Sequence, residues 1–490
     1  MAFLHGVYGE HTAYSGKQPT KSLKTIPAYI GTAPIHQLNA ENTADFDYKE
    51  YINKPIIINS YPEAKQKLGV SEDFATFTLM EAIYAHFMND GTPIAPIIVV
   101  NMADPTKRAE ADTEATVTLT GLSGNKTGYI DDGAAIIETV ALAELNKETD
   151  YTLKYVNGKI EITVTKADFT SGSVVATYRK IDTTDAVITT TVFSNALDAL
   201  DISEMVTGSI PTILVAPYYS KLKAYHDLMI AKAKSRIANK WYVDVVTDIQ
   251  ADATTNTMAK AITKKTTDIF NYIEEKVNYP KVKYNGRIYH LSTMCAVDMQ
   301  ITDTANDGVP CVSPSNKTIY ADAAVLDDGT QIYINETTAN TANANGLTTV
   351  NIVRGGLRLW GSSNANYNYA KESEIDPEHR QDASIRMKHY MLNKLQYDYI
   401  DDIDNPVTRR DIDSIKASVQ QWLNGLVNEG KILYATIDFI EDNNSVANMV
   451  SGDFVFNVST TYAPNAKSLT FKTHYTTDGL SSLTATGGDE

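Results

Sequence analysis

The chain has 490 residues, a formal charge of −17 and two cysteines, Cys295 and Cys311. Such acidity argues against a protein that tracks a phosphate backbone or an anionic membrane surface. Two thiols give neither a disulfide framework nor a zinc cluster, and at about 100–200 residues per domain the length predicts roughly three domains.

Residues 1–25 read as an extended arm. Gly6, Gly9, Gly16 and Pro19 interrupt any helical period, and Phe3, Val7 and Tyr8 lie in a strand-like patch too isolated to fold alone. No basic stretch leads into an apolar one, so a secretory signal is not expected. From Ile26 the pattern becomes α/β. "AYIGTAP", "KPIIINSY" and "APIIVVNM" read as buried strands, the last of the kind found in parallel sheets. Between them, Leu79, Met80, Ile83, Tyr84, Phe87 and Met88 form one helical stripe, with Gly91 placed to end it.

Residues 107–190 change texture: threonine-rich, with no Pro, Trp, His, Cys or Met. "DYTLKYVNGKIEITVTK" alternates on both sides of Asn157-Gly158, a strong hairpin signal because both residues accept positive φ. This segment is expected to be an inserted, self-contained all-β sandwich on the periphery. Its "GLSGNKT" has the wrong spacing for a phosphate loop, and no helix follows it. The α/β pattern then resumes. "IPTILVAPYY", a helix to about Lys240 and "WYVDVVTD" form a β-α-β unit. A second helix is expected over 255–275, then a hairpin at Asn285-Gly286 and a helix holding Cys295.

The last third opens with "TTVNIVRGGLRLWGSSNANY", read as strand, glycine corner, strand. Gly355 and Gly356 are adjacent and precede strand texture, so they are no dinucleotide loop, which needs G-x-G-x-x-G before a helix. Thr408 and Asp411 have N-cap spacing. They start a helix whose stripe is Ile412, Ile415, Val419, Trp422, Leu423, Leu426 and Val427, closed by Gly430. Three strands are expected after it, within "KILYATIDFI", "DFVFNVSTTY" and "KSLTFKTHY", the last presenting Leu469, Phe471 and Tyr475. The final polar residues are expected to fray.

No catalytic, metal or cofactor site emerges. The nine histidines show no ligand spacing. "DTANDGVP" lacks the third and twelfth ligands of a calcium loop. The acidic run Asp398, Asp401, Asp402, Asp404 reads as a solvated face, and there is no G-x-S-x-G elbow. No apolar run approaches the ~18 residues of a membrane span. Tyrosine is abundant, 29 against 12 Phe and 3 Trp, and its apolar ring with a polar tip suits surfaces that are buried on assembly.

The segments "YNGRIYHLSTMCAVDMQITDTANDGVPCVSPSNKTI", "ANANGLTTVNIVRGGLRLWGSSNANY" and "NPVTRRDIDSIKASVQQWLNGLVNEGKI" resemble the tail sheath proteins of contractile phage tails and R-type bacteriocins. The motif residues are Gly355, Gly356, Arg358, Trp360, Arg409 and Arg410. "IGTAP" and "NDGTPIAPIIVV" resemble that family's N-terminal portion. Leu357 departs from it, since many relatives carry an aromatic there, and so does the polar tail beyond Tyr475. The resemblance implies a structural subunit, not an enzyme, that needs no cofactor. It would form hexameric rings stacked helically around a tail tube, with baseplate and tail terminator proteins as partners and no direct nucleic acid or membrane insertion. Assembly would take place in the host bacterial cytoplasm, ahead of residence in the particle. Arms at both ends, including Phe3, Val7, Tyr8, Leu469, Phe471 and Tyr475, would add strands to neighbouring subunits. A non-contractile virion protein or β-decorated surface adhesin is the alternative, and a hydrolase with an unrecognised site is a third. The expected architecture is an arm (1–25), an α/β core (26–106 and 191–350), the inserted β domain (107–190), an α+β C-terminal domain (351–475) and a tail (476–490).

Overall fold

The computed structural model describes residues 23–39, 46–147 and 149–483. The chain enters β1 (Pro27–Gly31), crosses to β2 (Pro55–Ile58), and returns through helices α1 (Tyr61–Leu68) and α2 (Thr78–Phe87) into β3 (Ile97–Asn101). β3 pairs parallel with β1 and antiparallel with β2. Its continuous apolar run follows from cover on both faces: Ile97 and Val99 share a cluster with α2, while Ile98 and Val100 face the opposite layer. α2 is buried on every side, so the single stripe expected of it is wrong. Met88, assigned to that stripe, lies beyond the helix and is half exposed.

Residues 113–178 form β4 (Thr113–Thr118), β5 (Thr120–Leu122), β6 (Asn125–Ile130), β7 (Ala141–Leu142), β8 (Tyr151–Val156), β9 (Lys159–Val164) and β10 (Ser173–Tyr178). They make two antiparallel sheets, β4-β10-β7 and β5-β6-β9-β8. Asn157 and Gly158 turn the β8–β9 hairpin at φ 50° and 81°. The two sheets enclose a core of their own, including Ile160, Ile162, Val164 and Ala176. The segment is nevertheless not self-contained. Ala134, Ile136 and Ile181 are buried in the same cluster as α2, and His36 donates from Nε2 to the Gly133 carbonyl at 2.9 Å. Lys126 of the discarded phosphate-loop look-alike donates to the carbonyls of Thr170 and Ser171 at 2.6 and 2.7 Å, a purely structural use.

After α3 (Thr190–Asp198) and α4 (Ser203–Thr207) come β11 (Ile213–Val215), α5 (Lys223–Ala238) and β12 (Asp244–Asp248), a parallel β-α-β unit. α6 (Met258–Thr267) is shorter than expected: Ile269 turns at φ 62°, and Glu275 already opens β13 (Glu275–Asn278). The hairpin β14 (Lys281–Tyr284) and β15 (Arg287–Tyr289) leads into the buried α7 (Leu291–Thr304), then β16 (Ala323–Val325) and α8 (Glu336–Asn343). β17 (Leu347–Val353) and β18 (Gly356–Trp360) complete a sheet in the order β18-β17-β13-β12-β11-β1-β3-β2. Its six inner strands are parallel, and an antiparallel strand closes each edge. α2 and α7 cover one face, α3 and α5 the other. The β17–β18 hairpin thus belongs to the large sheet, which moves the expected boundary at 350/351 beyond Trp360.

α9 (Asp382–Tyr399) leads to α10 (Arg409–Asn428), β19 (Ile432–Asp438), α11 (Val446–Val450) and β20 (Asn457–Tyr462). Thr408 and Asp411 form the reciprocal capping box that their spacing predicts. Gly430 turns out of the helix at φ 71°. α10 packs on β19 and β20 through a cluster that includes Val419, Leu423, Leu426 and Ile437. Residues 467–475, expected to be a strand, have no strand partner among the described residues. Of residues 476–490, expected to fray, Asp478–Leu483 form a short 3-10 helix, and 484–490 lie outside the described residues.

Candidate assembly surfaces

The glycine corner is a hairpin turn. Arg354 and Gly355 adopt φ 52° and 82°, while Gly356 already belongs to β18. A Cβ at Gly355 or Gly356 would meet open space, so only the backbone angle at Gly355 calls for glycine there. Residues 316–319 cover the outer edge of β18. Leu359 donates to the Lys317 carbonyl at 3.0 Å, and Arg358 Nη1 reaches the carbonyl and side-chain oxygens of Asn316 at 3.2 and 3.1 Å. Trp360 is half-buried beside a cavity of about 400 Å³ shared with Asn343, Tyr367, Tyr369 and Lys467. Arg358 and Trp360 therefore finish the large sheet. Arg409 and Arg410 lie apart from them, exposed in the first turn of α10, where Arg409 meets Asp413 at 3.2 Å.

The C-terminal segment differs from everything above. Leu469, Phe471 and Tyr475 are 76%, 87% and 87% exposed. Phe3, Val7 and Tyr8 lie outside the described residues. The β19–β20 pair has two strands among the described residues. On the outer edge of β19 the Gln420 side chain accepts from the Ile437 amide at 3.2 Å and donates to the Ala435 carbonyl at 3.1 Å, so the edge without such a cap is that of β20. Leu433 and Tyr434 are exposed on β19. Open edges flanked by exposed apolar side chains are templates for another strand.

Sequence reasoning missed a set of buried polar clusters that join distant segments. Glu81 accepts from the His290 ring at 2.8 Å and from the Thr293 hydroxyl at 2.8 Å. His226 Nε2 lies 2.8 Å from Glu275, which also accepts from Thr247 at 2.6 Å. Asp248 accepts from the backbone and hydroxyl of Ser292. These groupings resemble catalytic pairs in residue type alone: each is sealed within the protein. Desolvation raises the Asp248 carboxyl above its usual range, and the Cys295 thiol is pushed up to about 12. Asp303 of the incomplete calcium loop is buried against Arg386. No spacing rule could pair Glu81 with His290 or Asp303 with Arg386, since only the sheet topology brings them together. Among the described residues no group of three His, Cys, Asp or Glu could hold a metal ion, and no helix is long and apolar enough to cross a membrane.

No family model matches the chain. It is 24% identical over 523 aligned residues to the tail sheath protein of Burkholderia phage BcepMu, covering 99% of each. The resemblance to contractile tail sheaths is borne out. Solved structures share the fold at lower identity. A chain of the anti-feeding prophage baseplate aligns with TM-score 0.57 and 13% identity, over 97% of this chain and all of that one. The contracted sheath complex of the PVC extracellular contractile injection system aligns with TM-score 0.53 and 12% identity over the same shares. A sheath tail protein of Desulfitobacterium hafniense aligns with TM-score 0.50 and 13% identity, over 94% of this chain and all of that one. The mixed α/β architecture with several sheets is thus a sheath fold, and it accommodates the β strands of residues 113–178.

Proposed function

We propose that this chain is the subunit of a contractile sheath: a structural polymer of stacked hexameric rings that surrounds a tube and shortens to drive it through a cell envelope. The observation that carries the reading is the end-to-end alignment with a tail sheath protein. Leu469, Phe471 and Tyr475 support it, because three large apolar side chains left outside a well-packed chain are best explained by a partner. The edge of β20, which has no strand partner among the described residues, suits strand addition, in which main-chain hydrogen bonds hold the lattice while whole domains re-pack. Tube, baseplate and terminator proteins are the partners this role requires, and the particle is the place of residence. The β unit 107–190 acts as a decoration seated on the core, outside the contacts between subunits. An adhesin role has no comparable support. A hydrolase would need a reachable nucleophile, and Ser292 and His290 are enclosed.

Electron microscopy of the purified protein tests the reading. Striated hollow tubes or rings support it, whereas monomers that stay dispersed in the presence of preformed tubes overturn it. Deleting residues 1–24 should leave a folded chain, because the core begins at Ile26, and should abolish lattice growth.

A further inference from the structure

Thr25 and Asn465, near the two ends of the described chain, are both linked to α9, the first through Asp303 of α7 and the second directly. At the N-terminal exit, the Thr25 hydroxyl donates to Asp303 Oδ2 at 2.6 Å, and the Thr25 carbonyl accepts from Gln300 at 3.1 Å. That same Asp303 oxygen receives Arg386 of α9. Two further contacts tie α9 to the start of β12: His389 lies 3.0 Å from Asp244, and Asn393 exchanges two hydrogen bonds with the Tyr242 backbone at 2.9 and 2.8 Å. At the C-terminal exit, Gln381, the residue capping α9, accepts from the Asn465 amide and donates to its carbonyl, both at 2.8 Å. Beyond Lys467 the chain is exposed. Asp382, next along, is fully buried with Lys276 at 2.6 Å and Ser313 at 2.9 Å.

We infer that α9 couples the two exits: a displacement of Thr25 is passed through Asp303 and Arg386 along the helix to Gln381, and so to the root of the C-terminal segment. A helix moves as a unit: a shift of Thr25 reaches α9 through the Asp303 carboxylate of α7 that Thr25 shares with Arg386, and Asn465 is bonded to α9 directly through Gln381. The mechanical purpose of this coupling rests on the proposed sheath role, in which both segments engage neighbours. The coupling itself is a property of the single chain.

Hydrogen exchange on the full, unassembled chain tests it. Thr25→Val removes one hydrogen bond to a charged group, and the expected result is about tenfold faster exchange along α9 as far as its first turn. Thr25→Ser should keep the wild-type rates. Gln381→Ala should reciprocally accelerate exchange at the Ile26 amide, which is bonded to Thr212 Oγ1 at 3.0 Å. Acceleration confined to the residues touching each altered contact, or a Thr25→Ser variant that behaves like Thr25→Val, would overturn the coupling. Should Thr25→Val unfold, Gln381→Ala still decides from the other end. Because no assembly is needed, this outcome is independent of whether tubes form, and the absence of tubes would count against the sheath role alone.

Discussion

In β3 the run Ile97–Val100 is wholly enclosed, whereas in β19 the adjacent Leu433 and Tyr434 are 58% and 55% exposed. Both stretches have the apolar, β-favouring composition of a strand. β3 has a strand on each edge and a helical layer on each face. β19 has one strand partner and one helix, α10. The first region satisfies its backbone and its apolar surface within one chain. The second is built to the same rules but left half finished, which fits the polymeric role proposed for the chain.

Truncation inside the closed region should cost most. Phe193 of α3 is fully buried, its ring 5.2 Å from that of Tyr225 and 5.7 Å from that of Tyr219. Phe193→Ala should destabilise the chain by about 3–5 kcal/mol in denaturant unfolding. A loss below about 1 kcal/mol would mean that the covered faces of the sheet can collapse around a void, and the contrast with β19 would weaken.

Acid should act at the seam between the β unit and the core. Burial lowers the His36 imidazole to about 4, even with the Gly133 carbonyl accepting from it. The unfolded chain takes up this proton near the ordinary value of 6.5, and the folded chain only near 4. Stability is therefore fully present above about 6.5 and declines as pH falls from there toward 4. The shift corresponds to roughly 3 kcal/mol. His36→Gln should flatten that part of the profile of unfolding against pH. His86, lowered to about 3 by burial, leaves a second component in the same direction. A pH profile unaltered by His36→Gln would mean that the seam opens before His36 is protonated.

Trp422 lies between the two extremes. Its place in the α10 stripe suggests full burial, but the ring is half-buried, 6.5 Å from that of Tyr390, on the wall of a groove between α9 and α10. Trp422→Ala should cost about 2 kcal/mol, below the range for an enclosed aromatic. A loss of 4 kcal/mol or more would show the groove to be closed in solution.

Local rules made much of the fold legible. The Asn157-Gly158 and Asn285-Gly286 turns, the Thr408–Asp411 capping box and the apolar strands follow from chemistry within a few residues. What could not be read depends on position in the finished molecule. α2 is buried all round because α7 arrives from about 200 residues away. The β17–β18 hairpin joins the large sheet because β17 pairs with β13. The acidic residues of the incomplete calcium loop and of α9 found their partners only through the topology. The candidate assembly residues divide in the same way. Arg358 and Trp360 proved to be finishing pieces of a sheet, while Leu469, Phe471 and Tyr475 kept the exposure that an alternating segment without partners implies.

The smallest expected effect on folding sharpens the comparison furthest. Phe471 is 87% exposed, so the folded chain loses almost no contact when its ring is removed. Phe471→Ala should change unfolding free energy by less than about 0.5 kcal/mol, the ordinary range for a surface substitution. Phe193→Ala removes the same side chain and should cost several times more. If the ring is instead buried between subunits, the order reverses in assembly. Phe471→Ala should then raise the concentration needed for tube formation, and Phe471→Asp should abolish it, because a carboxylate cannot enter an apolar contact without a large desolvation cost. Light scattering and electron microscopy of the two variants, alongside their unfolding curves, make the comparison. Normal tubes from Phe471→Asp would place this segment outside the lattice and leave its apolar alternation without the role proposed for it.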